Sequence, residues 1–399
     1  MHAKPVFPVW DFSLSRNDTT GLWNMKNHCA LTLRGQYCEQ QRQGAGPGSA
    51  RIRGAAMDHS SVSRQIVLKP ASRLTDAFGR RITYLRLSVT DRCNLRCQYC
   101  MGKDVKFLPK ADVLTIEEME RLCAAFIRLG VRKLRLTGGE PLLRPGVMEL
   151  VERLGSRVVA GELDELTLTT NGTLLAQHAA KLAAAGVRRV NVSLDTLDAA
   201  TFRQITQRDG LADVLAGIHA ARAARLAVRI NIVALAGVSD AEYDRMIHWC
   251  GAHGCDMALI ELMPFGNQDS GLYQPLDPVR TRLAERWTLT PSERFTGGPC
   301  HYWHVGETGY QIGFITPMSH GFCSACNRVR VTCTGRLVPC MAQHGDIDLR
   351  AALRGSETDD VLEAAIIAAI NTKPEGHQFN VSGTPHTSGS AQRMWQMGG

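Results

Sequence analysis

From Arg81 onward the chain alternates between two hydrophobic periods. Short β-rich runs give way to longer stretches in which apolar residues recur every third or fourth position, the signatures of strand and amphipathic helix. RITYLRLSV, KLRLTG, ELTLTT, RRVNVSLD, AVRINIVAL and MALIELMP read as strands. Between them, TIEEMERLCAAFIRLG, a stretch near PGVMELVERLG, LLAQHAAKLAAAG, LADVLAGIHAARAA and AEYDRMIHWCGAHG read as helices, the first opened by a Thr115-x-x-Glu118 capping box. Alternating β and α elements predict a parallel sheet, either open and doubly wound or closed as a barrel. Six such units fall short of the eight of a closed barrel, so the predicted fold is α/β, a partial (β/α)6 TIM-type barrel. Polar and glycine-rich segments follow the strands (Cys93, GGEP, TTNG, SLD, MPFG), where sites form in either architecture.

The pattern changes on both sides of this region. After Pro264, WTLTPSE, GYQIGFITP and RVRVTCTGRLVPC read as short strands, Ile347–Leu353 and Val361–Ile370 as helices, and the last twenty residues as a Ser/Gly-rich tail. Residues 1–69 carry no sustained period and read as a disordered extension, with a mis-called start before Met57 the favoured explanation. The expected domains are therefore 1–69, the barrel at 70–264, and a C-terminal module at 265–399.

Composition narrows the function. The 399 residues carry 46 Lys/Arg and 38 Asp/Glu, a formal charge of +8. Residues 1–69 hold 9 basic against 4 acidic residues, leaving the remainder nearly neutral at 37 against 34. No basic stripe points to nucleic acid, and no run of 18 apolar residues points to a membrane span. Neither partner is expected. The 13 cysteines are an odd number and mostly clustered, without a secretory signal. They read as metal ligands or reactive thiols in a reducing, cytoplasmic setting.

Cys93-x-x-x-Cys97-x-x-Cys100 follows the first strand directly, with Tyr99 as an aromatic wall. Three thiolates can hold three irons of a [4Fe–4S] cluster and leave the fourth open. The competing reading is a zinc knuckle, which usually closes with a fourth ligand. Gly138-Gly139-Glu140-Pro141 follows the second strand, and paired glycines admit close backbone approach to a ligand. Cys323-x-x-Cys326 and Cys340 form a second set of three, with a hairpin returning Cys340 to the pair. Cys333, inside that hairpin, would make a closed four-ligand site if it turned the same way. Arg328 and Arg330 share a strand face beside these cysteines and suit phosphate, or else form a solvated face. Cys250, Cys255, Cys123, and Cys300 with His301 and His304, read as core or surface.

The cysteine motif after the first strand resembles the radical S-adenosylmethionine (SAM) superfamily. The segments YLRLSVTDRCNLRCQYC, LRLTGGEPLLR, TLTTNGTLL, RVNVSLDTL, FCSACNRVRVTCTGRLVPC and the final Gly398-Gly399 resemble the GTP 3′,8-cyclase family of molybdenum cofactor biosynthesis, from about Tyr84 to the end. The resemblance implies two [4Fe–4S] clusters, one on Cys93, Cys97 and Cys100 and one on Cys323, Cys326 and Cys340. It assigns Tyr99, Gly139, Ser193 and Met263 to SAM. It assigns Arg86, Arg135, Thr169, Arg229, Arg328, Val329 and Arg330 to GTP. It further implies a 5′-deoxyadenosyl radical that takes the hydrogen from ribose C3′, attack of C3′ on guanine C8, and a Gly-Gly tail that enters the active site. An external electron donor and a downstream cyclic pyranopterin monophosphate synthase would be partners, and a homodimer stays open. Arg229 stands where the family usually has Lys; Cys29, Cys38 and Cys333 receive no role. Two other readings differ in what they predict. A radical SAM peptide maturase with one auxiliary cluster would not need the Asn327–Arg330 set, and a zinc-binding interaction protein would be indifferent to SAM.

Overall fold

A computed structural model describes residues 74–101, 105–265, 270–341, 345–377 and 395. The extension at 1–69, with Cys29 and Cys38, and Gly398-Gly399 lie outside the described residues.

Six strands alternate with helices as the periodicity predicts: β1 (Tyr84–Ser88), β2 (Lys133–Thr137), β3 (Glu165–Thr170), β4 (Arg189–Ser193), β5 (Ala227–Ala234) and β6 (Asp256–Glu261). The intervening helices are α1 (Ile116–Arg128), α2 (Val147–Val159), α3 (Leu175–Ala184), α4 (Ala199–Thr206), α5 (Leu211–Ala223) and α6 (Asp240–Ala252). Helix α1 starts on the reciprocal capping box: Glu118 N–H donates to Thr115 Oγ1 (3.2 Å), and Thr115 N–H donates to the Glu118 carboxylate (2.8 Å). Helix α4 carries no distinctive periodicity in the sequence; it is set by Asp198, whose carboxylate accepts from Thr201 N–H at 2.7 Å.

The C-terminal segment adds α7 (Leu276–Ala284), β7 (Leu289–Ser292), β8 (His301–Val305), β9 (Gln311–Ile315), β10 (Arg328–Val331), β11 (Arg336–Val338), β12 (Ile347–Asp348), α8 (Leu349–Gly355) and α9 (Asp360–Asn371). The helix predicted from Ile347 instead begins at Leu349. Asp348 accepts from the N–H groups of Arg350 and Ala351 (2.9 and 3.2 Å) and so caps the helix, leaving Ile347–Asp348 to pair as a strand.

Among the described residues all strands join one 12-stranded sheet in the order β12-β11-β10-β1-β2-β3-β4-β5-β6-β9-β8-β7. The C-terminal strands form no separate sheet. β10 pairs parallel with β1, and β9 parallel with β6, extending the six parallel strands to eight. Antiparallel strands then flank each side.

Strand alternation separates two faces. Leu85, Leu87, Leu134, Leu136, Leu166, Leu168, Val190, Val192, Ile230, Ile232, Met257, Leu259, Ile312, Phe314, Val329 and Val331 belong to one buried apolar core with the helices. The opposite, inner face carries Arg328 and Arg330 (β10), Tyr84 and Arg86 (β1), Lys133 and Arg135 (β2), Glu165, Thr167 and Thr169 (β3), Arg189, Asn191 and Ser193 (β4), and Arg229 and Asn231 (β5). In the usual eight-stranded barrel this interior is filled by branched aliphatics. Here it is basic.

Candidate active site

Two glycines permit the path of the cysteine loop that follows β1. A Cβ on Gly139 would lie 2.3 Å from Arg92 O, and one on Gly138 would lie 2.6 Å from Thr90 O. Gly139 N–H instead donates to Thr90 O (2.8 Å), and Glu140 N–H to Arg92 O (2.7 Å). The close approach that these glycines allow is first of all that of the protein's own backbone.

Glu140 is fully buried and binds the ends of β2 and β3 together. Its carboxylate accepts from Leu142 N–H (3.0 Å), Thr170 Oγ1 (2.9 Å) and Asn171 N–H (2.6 Å). Asn171 Nδ2 in turn donates to Asn94 Oδ1 (2.8 Å) and reaches Cys93 Sγ (3.7 Å). Burial pushes the Glu140 carboxyl up to about 7, against an ordinary 4.5. The folded protein therefore holds a proton there that the unfolded chain has already released. The resulting stability is full below about pH 4.5 and is lost as pH rises through about 7. Glu140→Gln is expected to weaken this slope in thermal melts between pH 5 and 8. It is also expected to destabilise by about 1–3 kcal/mol, because an amide NH2 would face an N–H donor.

Tyr99 is buried, and its hydroxyl donates to Asp195 Oδ2 at 2.6 Å; Val233 N–H donates to Asp195 Oδ1 at 2.9 Å. Burial raises Asp195 to about 6, and burial followed by the Asp195 charge raises Tyr99 well above its usual value. Cys97, Tyr99, Asn171, Ser193 and Asp195 line one cavity. Burial lifts Cys97 well above a free thiol and Cys100 to about 12, and Cys93 rises for the same cause. Among the described residues, no three His, Cys, Asp or Glu side chains gather as a site for a single metal ion. Three thiols on one loop, with no His, Asp or Glu in the motif, suit a group that meets each thiolate at a separate iron.

The inner face brings Arg86 between Arg330 and Arg135 in register, with Tyr84 between Arg328 and Lys133. Lys133 and Arg189 share Glu165 (2.5 and 2.6 Å). Among the described residues no carboxylate is paired with Arg135: its guanidinium lies over the Tyr84 ring at 5.5 Å, and its buried Nε makes no hydrogen bond there. Burial and then neighbouring guanidiniums lower Arg86 well below its usual value, and bring Arg330 to about 9. Burial brings Arg135 to about 10. Tyr84 is lowered although burial opposes it, because Arg135, Arg86, Lys133 and Arg328 outweigh the desolvation. Tyr84 OH, Thr169 Oγ1 and Asn191 Oδ1 are also buried without a hydrogen-bond partner among the described residues. A face of this charge suits a polyanion, whose oxygens accept paired guanidinium hydrogen bonds.

Arg229 also faces inward, and its guanidinium is held by Tyr302 OH on β8 (2.6 Å) and Asn231 Oδ1 (3.0 Å). Val329 points the other way: its side chain is buried in the helix-side core, so only its backbone can address the inner face. Met263, beyond β6, packs with Phe265, Val338 and Met341, the residue that follows Cys340 in sequence.

In the second cysteine set, β10 and β11 form the expected hairpin, with Arg330 opposite Val338. That register carries Cys340 back opposite Arg328, two residues from Cys326. Cys333 does not join them. It is 1% exposed, its carbonyl accepts from Leu114 N–H (2.8 Å), and its thiol meets Ser88, which places it in the core. Burial opposes ionisation of Cys326, yet Lys373 and Arg328 pull its thiol below the usual range. Cys300 lies buried against Gly313 and Tyr302, and Cys123, Cys250 and Cys255 are buried as well. Trp395 is buried and meets the Phe107 ring edge-on at 6.4 Å, while Arg92 and Arg96 lie over the same ring.

Sequence reasoning missed several members of this site. Tyr84, Lys133 and Arg189 were legible from strand alternation alone. Asp195 sits inside the quoted SLD segment, but its bond to Tyr99 is not encoded in any spacing.

The chain matches the model of the radical SAM superfamily over residues 87–250 and that of the molybdenum cofactor synthesis C domain over 255–379. It is 51% identical over 342 residues to the GTP 3′,8-cyclase of Brucella canis, covering 85% of this chain and 99% of that protein. It is 52% identical over 332 residues to the GTP 3′,8-cyclase of Erythrobacter litoralis, covering 82% and 99%. Streptococcus suis SuiB, solved bound to its precursor peptide SuiA, shares the fold at a TM-score of 0.53 and 15% identity, over 72% of this chain and 67% of that one. With a three-cysteine loop at the end of β1, a basic inner face and identity of this extent over nearly the whole length of its relatives, the chain belongs to the GTP 3′,8-cyclase family of radical SAM enzymes.

Proposed function

We propose that this enzyme converts GTP to 3′,8-cyclo-7,8-dihydro-GTP, the first step of molybdenum cofactor biosynthesis, on the inner face of its barrel. The carrying observation is the row of Arg330, Arg86 and Arg135 in adjacent register on three buried strands. Their mutual repulsion and desolvation are relieved by a triphosphate, whose oxygens accept paired guanidinium hydrogen bonds. Arg328 and the Val329 backbone extend this surface toward the second cysteine set. Thr169 supplies a buried hydroxyl that lacks a partner among the described residues. Arg229, fixed by Tyr302 and Asn231, presents a rigid charge where the family usually has a flexible Lys.

Cys93, Cys97 and Cys100 would hold the first [4Fe–4S] cluster, with Tyr99, Gly139, Ser193 and Met263 around SAM. When bound, this pair supplies one-electron cleavage of SAM and a carbon radical able to take the ribose C3′ hydrogen. Cys323, Cys326 and Cys340 would hold a second cluster facing the guanine ring. The protein's own contribution is position: hydrogen transfer needs C3′ within contact distance, so the arginines that fix the triphosphate also fix the reacting carbon. A carbon radical in that space also requires exclusion of water. In this reading 70–264 supplies the six β/α units and 265–399 the substrate-facing module, whose β9 and β10 continue the parallel sheet, in a cytoplasmic enzyme that takes electrons from an external donor. Its product would pass to cyclic pyranopterin monophosphate synthase.

Anaerobic turnover with SAM, a strong reductant and GTP deuterated at C3′ tests this reading. Deuterium is expected in 5′-deoxyadenosine. Unlabelled 5′-deoxyadenosine, formed equally without GTP, would overturn the substrate assignment.

A further inference from the structure

Lys373 follows the C-terminus of α9 and is only 3% exposed, yet among the described residues no carboxylate pairs with it. Its ammonium has three N–H donors. Nζ donates to Arg328 O (3.0 Å) and Pro339 O (2.8 Å), and it also shares a hydrogen bond with the Cys326 side chain. Arg328 lies two residues after Cys326, and Pro339 immediately precedes Cys340. One buried cation thus joins the two strands that carry two of the three cysteines. The third cysteine is braced from the same short segment. Arg80, itself buried and paired with Asp76 (2.6 Å), donates to Cys323 O (2.8 Å), to Glu375 O (2.6 Å) and to Pro374 O. Residues 373–375 therefore contact the surroundings of all three cysteines through Lys373 and Arg80.

A buried cation without a carboxylate partner requires compensating negative charge. Three thiolates around an oxidised [4Fe–4S] core carry a net charge of −1, and reduction adds another. We propose that Lys373 is the charge partner and positioning residue of the second cysteine set, holding Cys326 and Cys340 in register and easing reduction of the group they bind. This rests on the reading that Cys323, Cys326 and Cys340 hold a cluster. Outer hydrogen bonds to ligating residues and nearby charge are the protein's levers on affinity and potential. No motif in the sequence marks Lys373, since its role depends on two carbonyls 34 and 45 residues away.

The test compares anaerobically reconstituted holoenzymes by iron and sulfide content and by potentiometric titration followed by electron paramagnetic resonance. Lys373→Gln, which retains donors without charge, is expected to load both clusters and to shift the second cluster's potential negative, leaving the first unchanged. Lys373→Met is expected to lose iron toward half the wild-type content, and Lys373→Arg to recover most of it. Wild-type iron and potentials in both Lys373→Gln and Lys373→Met would overturn the inference. If Lys373→Met fails to fold, the Gln and Arg variants carry the comparison. Simultaneous Cys→Ser changes at 323, 326 and 340 separate the premise: full iron in that variant removes the second cluster itself, whereas half the iron there with unaltered Lys373 variants sinks only the role of Lys373.

Discussion

Gly139→Ala is expected to lower turnover by more than about 100-fold and to reduce iron loading at Cys93, Cys97 and Cys100. The added methyl carbon would sit 2.3 Å from Arg92 O and 2.6 Å from Arg92 C, both backbone atoms without a rotamer to yield. Relief requires the segment leading into Cys93 to move by about an ångström, and displacement on that scale alone can cost about 100-fold in an oriented reaction. The same shift would break the hydrogen bonds from Gly139 N–H and Glu140 N–H that anchor the loop. Overpacking of this kind costs about 1–3 kcal/mol, so the fold should survive. Gly298→Ala is the control: nothing lies within 4 Å of its Cβ position, and activity should be unchanged. Wild-type iron content and SAM cleavage in Gly139→Ala would show that the loop tolerates displacement.

Arg135→Met should move ligand affinity and stability in opposite directions. The guanidinium is desolvated, its Nε lacks a hydrogen bond, and Arg229 and Arg189 repel it. Removing it deletes an unfavourable buried charge, so the GTP-free protein should become more stable by roughly 1 kcal/mol. If Arg135 binds the triphosphate as proposed, its removal also deletes charge-assisted hydrogen bonds worth about 1.5–3 kcal/mol, a loss of about 10- to 150-fold in GTP affinity. Melting curves with and without GTP read both effects. The wild type should gain much more from the nucleotide than the variant does. A variant that is less stable without GTP and binds it normally would return Arg135 to a structural role.

The fold was legible wherever local periodicity decides it. The six strands of the barrel and the capped start of α1 depend on spacing within a few residues. The joining of β10 to β1 and β9 to β6 was not, because pairing between strands as far apart as Tyr84 and Arg328 leaves no local trace. Helix α7 and strand β8 were missed for a related reason. HYWHV is short and aromatic, and its strand character comes from β7 and β9 on either side. At the site, the cysteine and glycine spacings were readable because the chemistry constrains neighbours in sequence. Cys333 could be placed only by the hairpin turn that presents it to Ser88 and Leu114. Glu140, Asp195, Arg80 and Lys373 act through partners distant in sequence, and residue type alone does not reveal them.

The placement of β10 and β9 governs how the chain can be assembled during synthesis. Until β9 and β10 are made, the nascent six-stranded sheet exposes unpaired edges at both β1 and β6. Pairings of such long sequence separation form slowly and last. These two strands are made only after the six β/α units, and β10 arrives with Cys323 and Cys326 just ahead of it. Pairing of β10 with β1 and presentation of Cys323 and Cys326 are therefore coupled. A chain that stalls before Arg328 would leave the β1 edge unpaired and the second set of sulfur ligands incomplete.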